Sequence, residues 1–290
     1  MTPADDAMLL AAESVRAGYR GAPDVLHDAS VQVMRGVRLA VMGANGSGKT
    51  TLLRCLSGAH EPASGTVISR GTPLRYKQSA MNTHRQHVQL VLQDPDDQLF
   101  SADVRADVSF GPINLGLPDA AVLARVREAL DLLGIADLAD RAVHQLSYGQ
   151  RKRVAIAGAI AMRPSVLLLD EPSAGLDPTT VHQLYGVLRR LEDAGTTVVL
   201  ATHDVDLAWR WADEVAVVHA GVVQQGPVAD VLTDDALLDA ARLQLPWQVD
   251  LLRRAGIAFD AANRPRSPAD IADLIRDGSA RGDDVLGDPG

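Results

Sequence analysis

Short apolar runs broken by turn residues open the chain. Between residues 8 and 41 they alternate with Gly18, Gly21-Ala22-Pro23 and Arg35-Gly36, which predicts a small β-rich first portion. Leu39-Ala40-Val41-Met42 is a continuous apolar run, and from Leu52 the spacing turns helical. Gly65-Thr66-Val67-Ile68 and Val88-Gln89-Leu90-Val91-Leu92 read as strands. From about residue 95 to about 163 the pattern is helical, with Val122, Val126, Ala129, Leu130 and Leu133 on one face and Gly134 as the stop.

Strand-helix alternation then resumes. Val166-Leu167-Leu168-Leu169-Asp170 and Thr197-Val198-Val199-Leu200-Ala201 lack polar alternation, as strands covered on both faces of a parallel sheet do. A helix between them is predicted from about Thr179 to Ala194, ended by Gly195. Val215-Ala216-Val217-Val218 and Val222-Val223 flank Ala220-Gly221 as a closing hairpin. After Pro246 the texture changes. Trp247, Leu251 and Leu252 mark one short helix, and Ser267-Pro268 caps another through Ile271, Leu274 and Ile275. Residues 1–245 are therefore expected to form the main domain, with a helical part at about 95–163, and 246–290 a short helical extension with a frayed end.

Composition narrows the class. The 290 residues suffice for a sizeable core, which with only 3% aromatics must be aliphatic. A formal charge of −9 with no dense basic patch argues against nucleic acid as the main partner. The single cysteine, Cys55, excludes an internal disulfide and reads as a small packing residue in a reducing compartment. The longest apolar stretch, Val154 to Met162, is too short to span a bilayer and reads as a buried helix. The start MTPADDAML lacks the basic region of a signal peptide. The expectation is a soluble, intracellular protein that meets membranes only through a partner.

The chemistry centres on Gly43-Ala44-Asn45-Gly46-Ser47-Gly48-Lys49-Thr50-Thr51, which fits G-x-x-x-x-G-K-S/T between a strand and a helix. Its glycines let backbone N–H groups converge on one centre, and the helix adds its positive end. Lys49 is placed to reach the β- and γ-phosphates of a nucleoside triphosphate, and the Thr50 hydroxyl to ligate Mg²⁺. Asp170-Glu171, at the carboxyl end of an apolar strand, is the second element of such a site. Asp170 would hold Mg²⁺ directly or through water, and Glu171 would poise a water for attack. Tyr19, in the first loop, offers a ring to a base or is a surface tyrosine at a turn. Leu146-Ser147-Tyr148-Gly149-Gln150 reads as a Ser-capped helix start, either a simple cap or a second anion cradle. His84-x-x-His87, with no Cys or acid at ligand spacing, reads as a solvated pair and not a metal site.

Taken together these motifs resemble the ATP-binding-cassette ATPases. LSYGQ (146–150) is similar to that family's LSGGQ signature, with Tyr148 where glycine is commonest. The order also agrees: phosphate loop, Gln93 at a strand end, signature, VLLLDEP at 166–172, Ser173-Ala174-Gly175-Leu176-Asp177 as the D-loop, and His203 as the switch histidine. Tyr19 falls at the adenine-stacking position. The resemblance covers about residues 8–230 and implies an α/β fold, a P-loop NTPase with a RecA-like parallel core, an N-terminal antiparallel β subdomain and a helical signature subdomain.

It also implies a mechanism. Two such domains meet head to tail, so that Ser147, Tyr148, Gly149 and Gln150 face the ATP held by the other subunit. Glu171 serves as general base or water anchor, His203 bridges γ-phosphate and water, Gln93 senses Mg²⁺ and a membrane partner, and Asp177 lines the seam. ATP and Mg²⁺ are the implied cofactors.

Beyond Gln93, Asp94-Pro95-Asp96-Asp97-Gln98-Leu99-Phe100 reads as a Pro-started acidic turn ending in an apolar pair. Leu99 and Phe100 either tuck into the domain or push on a docked partner. The stretch resembles the extra helix of ATPases in energy-coupling-factor importers, as do Phe110-Gly111-Pro112, Val154-Ala155-Ile156-Ala157-Gly158 and the short C-terminal extension. Within that group the likeness is nearest to cobalt/nickel importers, with vitamin (biotin-type) importers, other transporters or a soluble cassette protein as alternatives. The implied setting is the cytoplasmic face of a prokaryotic membrane. The implied partners are a second ATPase subunit, identical or paralogous, a transmembrane energy-coupling subunit and a substrate-binding membrane protein, with no nucleic acid.

Overall fold

In the computed structural model, which describes residues 7–261 and 263–283, the apolar runs assemble into one ten-stranded sheet. The strands are β1 (Met8–Tyr19), β2 (Ala22–Met34), β3 (Leu39–Met42), β4 (Ser64–Ser69), β5 (Thr72–Pro73), β6 (Val88–Val91), β7 (Val166–Asp170), β8 (Thr197–Thr202), β9 (Glu214–His219) and β10 (Val222–Pro227). Their spatial order is β5-β4-β1-β2-β10-β9-β3-β8-β7-β6. One wing is antiparallel, β5-β4-β1-β2, and the other, β9-β3-β8-β7-β6, is parallel throughout. The β9-β10 hairpin does not close the sheet at an edge. It lies inside it, and Val222 pairs with Asp28 to join the wings.

The helices are α1 (Lys49–Leu56), α2 (Gln78–His87), α3 (Val104–Asn114), α4 (Asp119–Leu132), α5 (Tyr148–Ala161), α6 (Pro178–Asp193), α7 (Val205–Trp211), α8 (Val228–Val231), α9 (Asp235–Ala241), α10 (Trp247–Arg254) and α11 (Pro268–Asp283). Strand side chains alternate between faces, and here both faces are covered. Leu167, Leu169, Val198 and Leu200 pack with α3, α4, α5 and α6. Val166, Leu168, Val199 and Ala201 pack with α1 and the antiparallel wing. Ala40, Met42, Val215 and Val217 pack with α7 to α10. That explains why β7 and β8 read as unbroken apolar runs.

Helix ends follow local chemistry. Gly134, with φ +62°, lets the Ile135 N–H return to Leu130 and its own N–H to Asp131, and Gly195 does the same for Leu191 and Glu192. The predicted face of α4 (Val122, Val126, Ala129, Leu130) is buried, and so is most of α5 from Val154 to Ala161. Cys55 is buried among α1 neighbours, and burial pushes its thiol up to about 12.

A further expectation is corrected. His84 is not solvated: on α2 it shares a face with Met81, lies buried, and bonds Ser69 Oγ at 3.0 Å and the Leu56 carbonyl at 2.9 Å. Burial lowers its pKa, and its neighbour His87 pairs with Arg70. Helix α11 is described as far as Asp283, and residues 1–6 and 284–290, with the acidic start and most of the expected frayed end, lie outside the described residues.

Candidate nucleotide site

The carboxyl ends of β3, β8, β7 and β6 lie side by side, so four loops distant in sequence meet at one edge. In an open parallel sheet this is where ligands bind. β3 delivers residues 43–51, β8 delivers His203, β7 delivers Asp170 and Glu171, and β6 delivers Gln93. The register is tight: Met42 pairs with Thr202, and Asp170 with Ala201.

The loop 43–51 is built to admit an anion. A Cβ on Gly43 (φ +146°) would stand 2.4 Å from the Val218 carbonyl oxygen and 2.5 Å from Ser47 Oγ, so only glycine fits. Gly48, at φ +110°, precedes α1, and the helix start has no side-chain cap. Its N–H groups and dipole are therefore available to a ligand. Lys49 Nζ curls back to the carbonyls of Gly43 (2.8 Å) and Ala44 (3.3 Å) and lies 3.7 Å from Glu171 Oε1.

Thr50 Oγ1 donates to Asp170 Oδ2 at 2.6 Å. Burial raises the Asp170 pKa, with the charge of Glu171 acting in the same sense and the Thr50 bond opposing it. Asp170 Oδ1 and Ser47 Oγ are both buried without a hydrogen-bond partner. An orphaned carboxylate oxygen beside a threonine hydroxyl is an oxygen donor set suited to a phosphate-bound Mg²⁺. Glu171 occupies the left-handed region at φ +44°, anchored by its N–H to the Ala201 carbonyl at 3.0 Å. Such a backbone costs about 1–3 kcal/mol and marks functional turns. Its Oε1 meets His203 Nδ1 at 3.0 Å.

The remaining predicted residues divide. Tyr19 stands half-exposed over His60, ring centres 5.0 Å apart, with its hydroxyl 3.5 Å from Thr51 Oγ1 and Arg54. Ser147 caps α5 in a reciprocal capping box with Gln150. Asp177 caps α6, taking bonds from Thr179 and Thr180 that depress its pKa. Gln93 is exposed, its carbonyl bonded by Tyr148. Among the described residues no hydrogen bond or ion pair joins 147–150 to 43–51.

Sequence reasoning missed Lys152. Fully buried, it donates to the carbonyls of Glu171 (2.7 Å) and Ala174 (3.1 Å), and burial lowers its pKa to about 8. Its signal was the spacing of four from Tyr148, which puts both on one face of α5.

A family model described as ABC transporter matches residues 26–174, just over half of the chain, from within β2 to just past Glu171. The chain belongs to the ABC transporter family. Among relatives of this ABC transporter ATPase, the cobalt import ATP-binding protein CbiO of Rhodobacter capsulatus is 48% identical over 97% of each chain. The energy-coupling factor transporter ATP-binding protein EcfA of Methanoculleus marisnigri is 47% identical over 84% of this chain and 89% of its own. Among solved structures, cbiO1 of Clostridium perfringens, part of the ABC transporter complex cbiONQ, superposes with TM-score 0.71 at 38% identity, covering 85% of this chain and 99% of that one. A bacterial ABC transporter cassette solved as a dimer gives 0.69 at 25% identity, covering 76% and 99%. No described helix is long and apolar enough to cross a membrane.

Proposed function

We propose that this ABC transporter ATPase drives an energy-coupling-factor importer for cobalt or nickel ions, working as a dimer on the cytoplasmic face of the membrane. The observation that carries the ATP chemistry is the contact of Glu171 with both Lys49 and His203 at the mouth of the phosphate loop. The loop amides and Lys49 take up the β- and γ-phosphates, Tyr19 flanks the base, and Glu171 orients and deprotonates the attacking water. His203 holds Glu171 through Nδ1 and leaves its far nitrogen toward the γ-phosphate. Thr50, Asp170 and Gln93 would hold Mg²⁺, which supplies charge neutralisation between β- and γ-phosphates when bound.

Dimerisation is supported by the separation of the signature from the loop of its own chain. Ser147 and Gly149 are free of residues 43–51 and suit the γ-phosphate bound by a second subunit, with Asp177 at the seam. Coupling to a membrane subunit is supported by an exposed apolar edge. Phe100 and Phe110 meet edge-on at 4.7 Å beside a groove lined by Gln78, Asn82, Gln98 and Met162. The cargo reading rests on the likeness, along nearly the whole length, to a protein described as a cobalt importer component. A vitamin importer is the second reading, because the energy-coupling factor relative carries no cargo in its description.

The test is to purify the chain with its native membrane partners and identify them by mass spectrometry. An energy-coupling transmembrane subunit together with a small metal-binding membrane protein is the expected result. Recovery with a vitamin-binding subunit would move the cargo. Recovery with an ordinary permease pair would overturn the importer class and leave the ATPase standing.

A further inference from the structure

Position 148 carries a large ring where the resembling signature has glycine, and the ring turns toward its own chain. The Tyr148 hydroxyl donates to the Gln93 carbonyl at 3.2 Å. Its ring covers Gly175, where an added Cβ would stand 2.8 Å from ring Cε1 and 3.3 Å from Cδ1. One turn along α5, Lys152 Nζ lies 5.7 Å from the ring centre and binds the Glu171 and Ala174 carbonyls. Arg151 pairs with Asp96 in the turn after Gln93 at 2.7 Å. Three side chains from the first turns of one helix, Tyr148, Arg151 and Lys152, therefore tie down the loops that follow β6 and β7.

We propose that Tyr148 is a positioning residue for ATP hydrolysis that locks the Gln93 loop to the 173–177 loop, so that signature, Gln93 and Asp177 shift as one body. The inference rests on the site assignment above. With glycine at 148 the Gln93 carbonyl would face water and Gly175 would lose its cover, leaving Arg151 and Lys152 to hold the two loops separately. Tyr148 and Gly175 are a matched pair, because the ring occupies the space a side chain at 175 would need.

The full-length protein tests this by steady-state ATP hydrolysis against ATP concentration, with thermal melting alongside. Tyr148→Phe removes only the hydroxyl. Its kcat should fall about fivefold, the effect of one hydrogen bond, with melting unchanged. KM for ATP should stay within about twofold, because the phosphate loop is untouched. Tyr148→Gly should fall further. Gly175→Ala should lower kcat strongly beside Tyr148 and much less in the Tyr148→Gly background, since the strain of alanine at φ +74° is common to both and cancels. Unchanged kcat in Tyr148→Phe, a rise in KM alone, a fall in melting temperature alone, or equal effects of Gly175→Ala in both backgrounds would each overturn the proposal. Glu171→Gln is the parallel control. If it keeps turnover, the site assignment fails; if it is inactive while Tyr148→Phe is wild type, only the positioning role fails.

Discussion

Glu171 and Lys49 face each other across the end of the sheet, Oε1 to Nζ at 3.7 Å, with both side chains more than nine-tenths buried. In the proposed mechanism an incoming triphosphate would compete with the carboxylate for the same ammonium, and phosphate binding would free Glu171 for water.

Glu171→Gln keeps the shape and removes the base. Turnover is expected to fall by about 10²-fold or more. ATP affinity should persist, because the loop amides and Lys49 remain, and ATP should trap a dimer. Turnover assays and size-exclusion chromatography with and without ATP check this. Wild-type turnover would remove Glu171 from the base role.

Much of this arrangement was legible because its signals are local. Continuous apolar runs gave β7 and β8, glycine stops gave the ends of α4 and α6, and the phosphate-loop spacing announced residues 43–51. What escaped depends on contacts far apart in sequence. The burial of His84 requires the Leu56 carbonyl, and Lys152 is explained only by carbonyls from the loop after β7. The place of β9 inside the sheet follows from pairing with β3, and the hairpin spacing is silent on that. Helix α2 was missed because its sequence is polar on most faces and only Met81 and His84 are buried.

Leu99 and Phe100, alike in sequence, are expected to behave differently. Leu99 packs against the core cluster formed with α3, α4 and α5, whereas Phe100 is 64% exposed. Leu99→Asp should destabilise by about 1–3 kcal/mol, from lost burial and a desolvated charge. Phe100→Asp should cost at most about 1 kcal/mol, the value of its ring pair with Phe110. It should nevertheless release the membrane partner. Urea denaturation and co-purification separate the two, and a strongly destabilised Phe100 variant would make it a core residue.

Lys152 gives a pH dependence of definite sign. Its folded pKa is near 8, below the 10.5 of the free side chain, so between those values the unfolded chain binds the extra proton. Stability then rises with pH through this window, and below about 8 the buried charge is carried at full cost. Lys152→Met abolishes the effect and takes this donor from the Ala174 carbonyl, while the Glu171 carbonyl keeps only the Ala174 N–H. The variant should be less stable by about 1–3 kcal/mol. Its deficit relative to wild type should widen from pH 7 to pH 9.5 in urea titrations. A deficit that narrows would mean the fold favours the charged form.

The segment after Pro246 is held on α7, the helix that begins two residues past His203. Trp209 is fully buried and donates its indole N–H to the Pro265 carbonyl at 2.7 Å. Arg264 donates back to the Trp209 carbonyl at 3.0 Å and to that of Ala212. At the start of α7, the Trp247 N–H donates to Asp206 at 3.1 Å. Burial lowers the Arg264 pKa to about 10, so at neutral pH the group is charged and its bonds are charge-assisted. Arg264→Ala is expected to cost about 3 kcal/mol, the loss of two such bonds with their acceptors left dry. A chain ending at Leu245 should melt well below the full length, because Trp209 would lose its partners at once. Residues 246–290 either complete this fold or add contact to a dimer, and thermal melting with ATP-dependent size-exclusion chromatography decides between the roles. An early-melting truncation makes the segment part of the fold that supports His203. A truncation that melts normally and fails only to dimerise with ATP assigns it to the seam.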